Sequence, residues 1–142
     1  MNYLLDTNVL SELMRALPEQ QVVQWLDQHN SAHLYISSIT VAEILYGITR
    51  LPNGRRKQAL ASTAISMFKE DFPERICAFD HYSAEFYADL VNQRNALGLP
   101  ISQSDAQIAS IALCRQMTLV TRNIKDFIHI DGLSLFNPFE IK

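Results

Sequence analysis

Three acidic residues stand where a short apolar run gives way to the start of a helical pattern. Asp6 follows the first such run. Glu43 is the only charged residue between positions 35 and 49, and Asp105 opens the helical pattern of residues 105–112. In open α/β sheets, ligands bind beyond the carboxyl ends of the strands. Carboxylates gathered there repel one another unless a cation joins them, and sites made only of oxygen ligands suit Mg²⁺ or Mn²⁺. The pattern therefore predicts a metal-dependent enzyme that acts on phosphate esters.

Asp6 also has a purely structural interpretation. Aspartate is common just before a helix, because its carboxylate accepts hydrogen bonds from the free N–H groups of the first turn. Thr7 and Asn8 follow Asp6, and either of them can cap a helix over residues 9–15. We therefore expect Asp6 to be free of the capping role and interpret it as a functional acid.

Glu43 and Asp105 have structural alternatives of their own. Glu43 lies on a predicted helix that is apolar on nearly all sides, where a lone carboxylate is costly to bury and needs a partner; Arg50 is close enough along that helix to be a structural one. Asp105 resembles the last residue of a capping box that begins at Ser102, and the helix dipole favours acids in the first turn. Asp105 also continues the apolar stripe of its helix, which predicts that it faces the sheet, so for this residue both interpretations stay open.

A fourth polar region, residues 121–127, comes directly after another apolar run. Asp126 could bind metal or orient water, and Asn123 could do so through its side-chain carbonyl. Arg122 could hold a phosphate. For any one of these residues taken alone, an ordinary polar loop is the better explanation.

The composition limits the architecture and the compartment. A chain of 142 residues with 48% hydrophobic content and no linker or internal repeat fits one domain over residues 1–142. No apolar run approaches the roughly 20 residues that span a bilayer, and Cys77 and Cys114 lack metal-ligand spacing, so we expect a cytoplasmic protein without membrane contact. A net charge of −3 disfavours tight general binding of nucleic acid. Catalysis on nucleic acid remains compatible with this charge, because a bound metal inverts the local field.

Apolar runs of strand length alternate with helical patterns along the whole chain. Predicted strands cover residues 3–5, 34–37, 76–79, 118–120 and 133–136. Predicted helices cover residues 9–15, a segment from Pro18 and Glu19, a segment capped by Ser38 or Thr40 that runs through Leu51, and residues 55–72, 80–97 and 105–116. Strands separated by helices imply βαβ crossovers, hence an α/β fold with a mostly parallel sheet covered on both faces.

Four sequence motifs occur in order at spacings suited to such a domain. They are LLDTNVLSE at residues 4–12, SITVAEI at 38–44, SDAQIA at 104–109 and VTRNIKDF at 120–127, and the chain closes with Asn137-Pro138-Phe139. Together they resemble PIN-domain proteins of the VapC type, close to the FitB-like branch, over essentially the whole chain.

The resemblance implies a three-layer α/β/α fold with a mostly parallel five-stranded central sheet. It also implies a Mg²⁺- or Mn²⁺-dependent endoribonuclease that is the toxin of a type II toxin–antitoxin system and cleaves RNA with a metal-activated water. Toxins of this family generally form homodimers and are silenced by a cognate antitoxin protein, which carries the DNA-binding segment, so contact with DNA would be indirect.

The resemblance also assigns roles to the candidate residues. The family's invariant acids fall on Asp6, Glu43 and Asp105, which would be metal ligands. The fourth acidic position aligns with Asn123, where an amide weakens the charge of the site and leaves a second metal position in doubt. Asp126 either compensates for this change or is structural, and both possibilities stay open.

Residues close to Asp6 would assist the acids. Thr7 and Asn8 could position the carboxylates or a phosphate at the start of the first helix. The first two helices also carry more apolar residues than one face against the sheet should need, and such surface usually marks a partner site. The alternative is that these helices pack on one another. The apolar residues in question are Val9, Leu10, Leu13, Met14, Leu17, Val22, Val23, Trp25 and Leu26.

Two other classes of function compete with the nuclease. One is a phosphotransferase with an aspartyl nucleophile, which would need a second aspartate where Asn8 stands and a well-placed downstream lysine. The other is a non-catalytic binding module that keeps the PIN fold. The three retained acids argue against such a module, whereas Asn123 leaves it open.

Overall fold

The computed structural model describes residues 1–140, in which five short strands alternate with six α-helices. The strands are β1 (Tyr3–Leu5), β2 (Leu34–Ser37), β3 (Ile76–Cys77), β4 (Thr118–Val120) and β5 (Leu135–Phe136). The helices are α1 (Thr7–Leu13), α2 (Gln20–Asp27), α3 (Ser38–Thr49), α4 (Arg55–Glu70), α5 (His81–Ala96) and α6 (Gln103–Cys114). Two 3₁₀ helices, Ser31–His33 and Ile124–Asp126, precede β2 and follow β4.

The strands form one sheet in the order β3-β2-β1-β4-β5, and every pair is parallel. Leu4 in the central strand stands opposite Tyr35 on one side and Leu119 on the other. The chain proceeds from β1 outward through β2 and β3 and then crosses to β4 and β5 on the other side. The direction of winding thus changes between β1 and β4, which is where ligands bind in open α/β sheets.

Alternation of side chains along the strands creates a core on each face of the sheet. Leu5, Ile36 and Val120 point into a core with α1, α2, α3 and α4, whereas Leu4 and Leu119 point into a second core with α5 and α6. The predicted α/β fold with a helical layer on each face is confirmed. Within residues 1–140, no helix combines the length and apolar character needed to cross a membrane.

The element boundaries differ from the sequence prediction where a neighbouring strand ends. The predicted strands 76–79 and 133–136 are reduced to β3 and β5, two residues each. Both are edge strands, and each pairs only with the last residues of its inner neighbour before that neighbour gives way to a helix or loop. The third helix is capped by Ser37, whose Oγ accepts the Thr40 N–H at 3.1 Å, and not by Ser38 or Thr40 as predicted.

Most of the apolar surface on α1 and α2 is buried by packing inside the protein. Val9, Leu10 and Val22 are fully buried, and Leu13 and Met14 are partly buried against the same core. The alternative that the first two helices use these residues for packing within the protein therefore accounts for most of them. Leu17 is the clear exception, at 86% exposure.

Candidate active site

Asp6 lies at the carboxyl end of the central strand and is 4% exposed. Its Oδ1 accepts the Thr7 N–H at 2.8 Å, so Asp6 is the N-cap of α1. Its Oδ2 accepts hydrogen bonds from Thr121 Oγ1 at 2.7 Å and from Asn8 Nδ2 at 3.1 Å. The prediction that Thr7 or Asn8 would cap the helix in place of Asp6 was wrong, because the helix begins two residues earlier, at Thr7. Asp6 is thus both the N-cap of α1 and a residue at the switch point of the sheet, the place between β1 and β4 where the direction of winding changes.

Glu43 is held at the same place by a chain of hydroxyl groups. Thr7 Oγ1 donates to Glu43 Oε1 at 2.7 Å and lies 3.0 Å from Thr40 Oγ1. A hydroxyl has one proton to give, so Thr40 must donate to Thr7, and Ser37 in turn donates to Thr40 at 3.4 Å. Thr7 is therefore the hydrogen-bond partner of Glu43. Within residues 1–140, Arg50, the structural partner that the sequence allowed, forms no ion pair with Glu43.

The environment predicted for Glu43 was wrong in one respect. We expected a helix without a solvent-exposed face, but Glu43 is exposed and Tyr46 on the same helix is 64% exposed. Arg50 lies over the Tyr46 ring, with its Cζ 5.6 Å from the ring centroid. One largely apolar side of α3 is therefore exposed to solvent, and water can reach Glu43.

Asp105 is half-buried near the start of α6. Ser102 Oγ accepts the Asp105 N–H at 3.2 Å, so the predicted cap is formed by Ser102. Burial raises the pKa of the Asp105 carboxyl above its usual value, the Ser102 hydroxyl offsets part of this rise, and the charges of Asp126 and Glu43 add to it. The two interpretations of this residue are therefore compatible, since its backbone serves the cap and its side chain serves the acidic cluster.

The three acids line one open cleft of about 470 Å³ at the carboxyl edge of the sheet. The lining residues are Asp6, Thr7, Asn8, Ser11, Glu12, Arg15, Glu43, Asp105 and Asn123. Burial raises the pKa of Asp6 to about 6, hydrogen bonds from Thr121 and Thr7 oppose the rise, and the charges of Asp105 and Glu43 add to it. Across residues 1–140, none of these three acids forms an ion pair. The cleft therefore concentrates negative charge that the described side chains leave uncompensated.

The structure separates the members of the polar region after β4. Asn123 is exposed and lines the cleft, and its N–H donates to Thr121 Oγ1 at 3.1 Å. Asp126 lies outside the cleft lining, on a 3₁₀ helix whose backbone is held by Arg94, which donates from Nη1 to the Asp126 carbonyl at 2.8 Å. Arg122 is exposed beside the cleft, with its Cζ 4.6 Å from the centre of the Phe139 ring.

Some residues of the site were missed by the sequence analysis. Thr121 is fully buried and joins Asp6, Asn8 and the Asn123 backbone through one hydroxyl group. Its position directly after β4 was a usable signal, because β4 pairs with β1 and ends at the same edge.

Glu12 is a second residue of the site that the sequence analysis did not assign. It lines the cleft at 4% exposure and accepts two hydrogen bonds of 3.1 Å from Arg15. A hydrogen bond from the Glu19 N–H, with help from Arg15, lowers the pKa of the Glu12 carboxyl. The i,i+3 spacing of Glu12 and Arg15 was a signal for this pair.

The carboxylates share the cleft without converging on a single point. No group of three His, Cys, Asp or Glu side chains in the part of the chain that the structure describes is close enough to hold a metal ion. The donor atoms that face the cleft are nonetheless oxygen atoms of the kind that hard divalent cations prefer.

Comparison with known protein families shows which family this chain belongs to. The family model described as PIN domain matches residues 3–133. The chain is a PIN-domain protein of the VapC family. Over 96% of its length it is 39% identical to the plasmid stability protein StbB of Pseudomonas syringae pv. tomato, 35% identical to the VapC ribonuclease Y4jK of Sinorhizobium fredii and 37% identical to the toxin FitB of Neisseria gonorrhoeae. These alignments cover 98%, 96% and 97% of the respective relatives.

Solved structures agree with this assignment. The structure of FitAB bound to an IR36 DNA fragment matches with a TM-score of 0.91 and 36% identity, covering 99% of this chain and 97% of that one. VapBC2 of Rickettsia felis, bound to a DNA fragment from its promoter, matches with a TM-score of 0.80 and 30% identity, covering 96% and 98%. The predicted family and the predicted FitB-like character are confirmed.

Proposed function

We propose that this protein is a metal-dependent endoribonuclease and the toxin of a type II toxin–antitoxin pair. The observation that carries the proposal is the cleft in which Asp6, Glu43 and Asp105 lie together at the switch point of the sheet. Support comes from relatives named as VapC ribonucleases and as a toxin, which match nearly the full length of the chain. We expect the protein to act in the cytoplasm, where RNA is its substrate.

A divalent cation, Mg²⁺ or Mn²⁺, fits the chemistry of the donor set. Asp6, Glu43 and Asp105 would close around it. Its positive charge would offset their burial, which is the main cause of the raised pKa of Asp6 and Asp105, as well as their mutual repulsion. Asn123 offers one neutral carbonyl at the edge of this group. When bound, such an ion lowers the pKa of a water molecule and stabilises charge on a phosphodiester.

The protein's own groups have separate tasks in the reaction. Thr121 and Asn8 hold the Asp6 carboxylate in one orientation, and Thr7 does the same for Glu43. Because these donors are fixed before substrate arrives, the carboxylates lose little freedom when RNA binds. Glu43 is exposed at the cleft, so it is placed to orient the attacking water.

We further propose that the protein works as a homodimer and is inhibited by an antitoxin that carries the DNA contact. An apolar groove of about 840 Å³ between α1, α3 and α4 adjoins the acidic cleft and shares Thr7 and Glu43 with it. Leu17, the most exposed apolar residue of α1 and its flank, lies in this groove. An amphipathic segment of the antitoxin fits such a groove, and a basic side chain of that segment would take the place of the metal.

Growth of cells that express the protein tests the toxin proposal. Expression of the wild-type protein should slow growth, and co-expression of the neighbouring reading frame should restore growth. The two encoded proteins should copurify. Asp6→Asn should be harmless, while the matched control Asp89→Asn, an exposed acid on α5, should remain toxic. Equal inhibition by wild type and Asp6→Asn would instead favour a non-catalytic binding module, the alternative that the neutral Asn123 in the cleft supports.

A further inference from the structure

The Asn137-Pro138-Phe139 segment packs against Arg122, beside the acidic cleft. Asn137 Nδ2 donates to the Arg122 carbonyl at 3.2 Å, and Asn8 Oδ1 accepts the Arg122 N–H at 3.1 Å. Both backbone groups of Arg122 are therefore held by side chains, one from each end of the chain. Because Asn8 also donates to the Asp6 carboxylate, the backbone of Arg122 is tied to the proposed catalytic group.

Phe139 provides a platform for the Arg122 side chain. The guanidinium lies over the Phe139 ring, with Cζ 4.6 Å from its centroid, a geometry that stabilises a cation on an aromatic face. Phe139 is itself fixed, since its N–H donates to Asn137 Oδ1 at 2.9 Å and its carbonyl accepts from Gln21 Nε2. The segment thus restricts the position of the guanidinium. It does not neutralise the charge of the guanidinium.

Arg122 is a cation at the rim of a strongly acidic site. Among residues 1–140 it forms no ion pair, whereas Arg15 is bound to Glu12. Arg122 does not line the cleft, but Glu12 does, and after the Glu19 N–H and Arg15 the Arg122 charge adds to the lowering of the Glu12 pKa. A phosphodiester chain that enters a cleft full of carboxylates needs cationic contacts outside it. The Arg122 backbone is bonded to Asn8, which lines the cleft, so the guanidinium is an exposed cation next to the cleft.

We propose that Arg122, held on Phe139 by Asn137, binds an RNA phosphate that flanks the scissile phosphate. This inference rests on the proposed ribonuclease function and adds a subsite to it. Arginine suits the task because its planar fork can donate two parallel hydrogen bonds to one phosphate. Asn137 and Phe139 act as positioning residues, since Asn137 holds the Arg122 backbone and Phe139 carries the guanidinium.

Binding of a single-stranded RNA oligonucleotide, measured against KCl concentration, tests the proposal. All proteins carry Asp6→Asn, so that no RNA is cleaved during the measurement. Arg122→Gln should reduce the slope of log Kd against log salt by about 0.7, the value for one phosphate contact on a single strand. Phe139→Leu should weaken binding about two- to fivefold at low salt, the effect of losing an exposed cation–π contact. The matched control Arg115→Gln, an exposed arginine just after the far end of α6, should change neither quantity.

A double variant separates positioning from a general structural role. If Phe139 acts through Arg122, adding Phe139→Leu to Arg122→Gln should cost no further affinity. An unchanged salt slope in Arg122→Gln would overturn the inference, and so would additive losses in the double variant. Retained RNA binding with loss of antitoxin copurification would make Arg122 a protein contact and would also overturn it. These outcomes leave the ribonuclease proposal standing, whereas a protein that binds no RNA in any variant contradicts both.

Discussion

Asp6 should make the stability of the metal-free protein depend on pH. Its carboxyl has a pKa of about 6 in the folded chain against an ordinary value of 3.8. At about 1.4 kcal/mol per pKa unit, the folded state disfavours ionised Asp6 by about 3 kcal/mol relative to the unfolded state. Because the folded pKa is the higher one, the stabilisation from protonated Asp6 is complete below pH 4 and is lost as the pH rises through 6.

Asp6→Asn should remove this pH dependence, because the amide stays neutral while its oxygen can still accept the Thr7 N–H and cap α1. At pH 8 without metal, the variant should be up to about 3 kcal/mol more stable than wild type. Below pH 4 the variant should have no such advantage, since wild-type Asp6 is then neutral as well.

Urea unfolding in EDTA between pH 4 and 8 measures the effect directly. The difference in unfolding free energy between Asp6→Asn and wild type should grow by about 3 kcal/mol over this range, and using the difference cancels other titrating groups. The control Asp89→Asn, an exposed acid, should give a difference that stays flat. Mg²⁺ at about 100 times its Kd should stabilise wild type by about 2.7 kcal/mol and the variant much less. A difference between Asp6→Asn and wild type that is constant across pH would refute the electrostatic reasoning.

Two further predictions concern the other polar groups near the cleft. Asp105→Asn should be inactive yet at least as stable as wild type in EDTA, because it relieves repulsion while the Ser102 cap remains; easier unfolding in urea would show that the carboxylate is structural. Asn123→Asp should lower the Mg²⁺ concentration needed for half-maximal RNA cleavage, and Asp126→Ala should keep much of the activity, because Asn123 lines the cleft and Asp126 does not. If Asp126→Ala is instead as damaging as Asp6→Asn, the fourth position belongs to Asp126.

The fold was predictable wherever a segment carries its own signal. Residues 3–5, 34–37 and 118–120 are short and mostly buried, and all three are strands with the predicted limits. The edge strands β3 and β5 came out shorter, because their length depends on where the paired strand ends. Such a limit is a property of the sheet and not of the local sequence.

The site was predictable in its members and less so in their contacts. Asp6, Glu43 and Asp105 were found from residue type and position, and they line one cleft. The role of Thr121 depends on the pairing of β1 with β4, two strands that are over a hundred residues apart in the sequence. Its position directly after a strand is therefore informative only once that pairing is known. The exposure of Glu43 was missed because helical periodicity shows which side is apolar but not whether that side is covered.

Cleavage of RNA by the purified protein tests the central claim most directly. With Mg²⁺ present, the wild-type protein and the Asp89→Asn control should cleave single-stranded RNA, and EDTA should stop both. Asp6→Asn, measured at equal concentration and shown to be folded, should leave the RNA intact. Cleavage that persists in EDTA, or that Asp6→Asn performs at the wild-type rate, would contradict a metal-dependent nuclease built on these carboxylates.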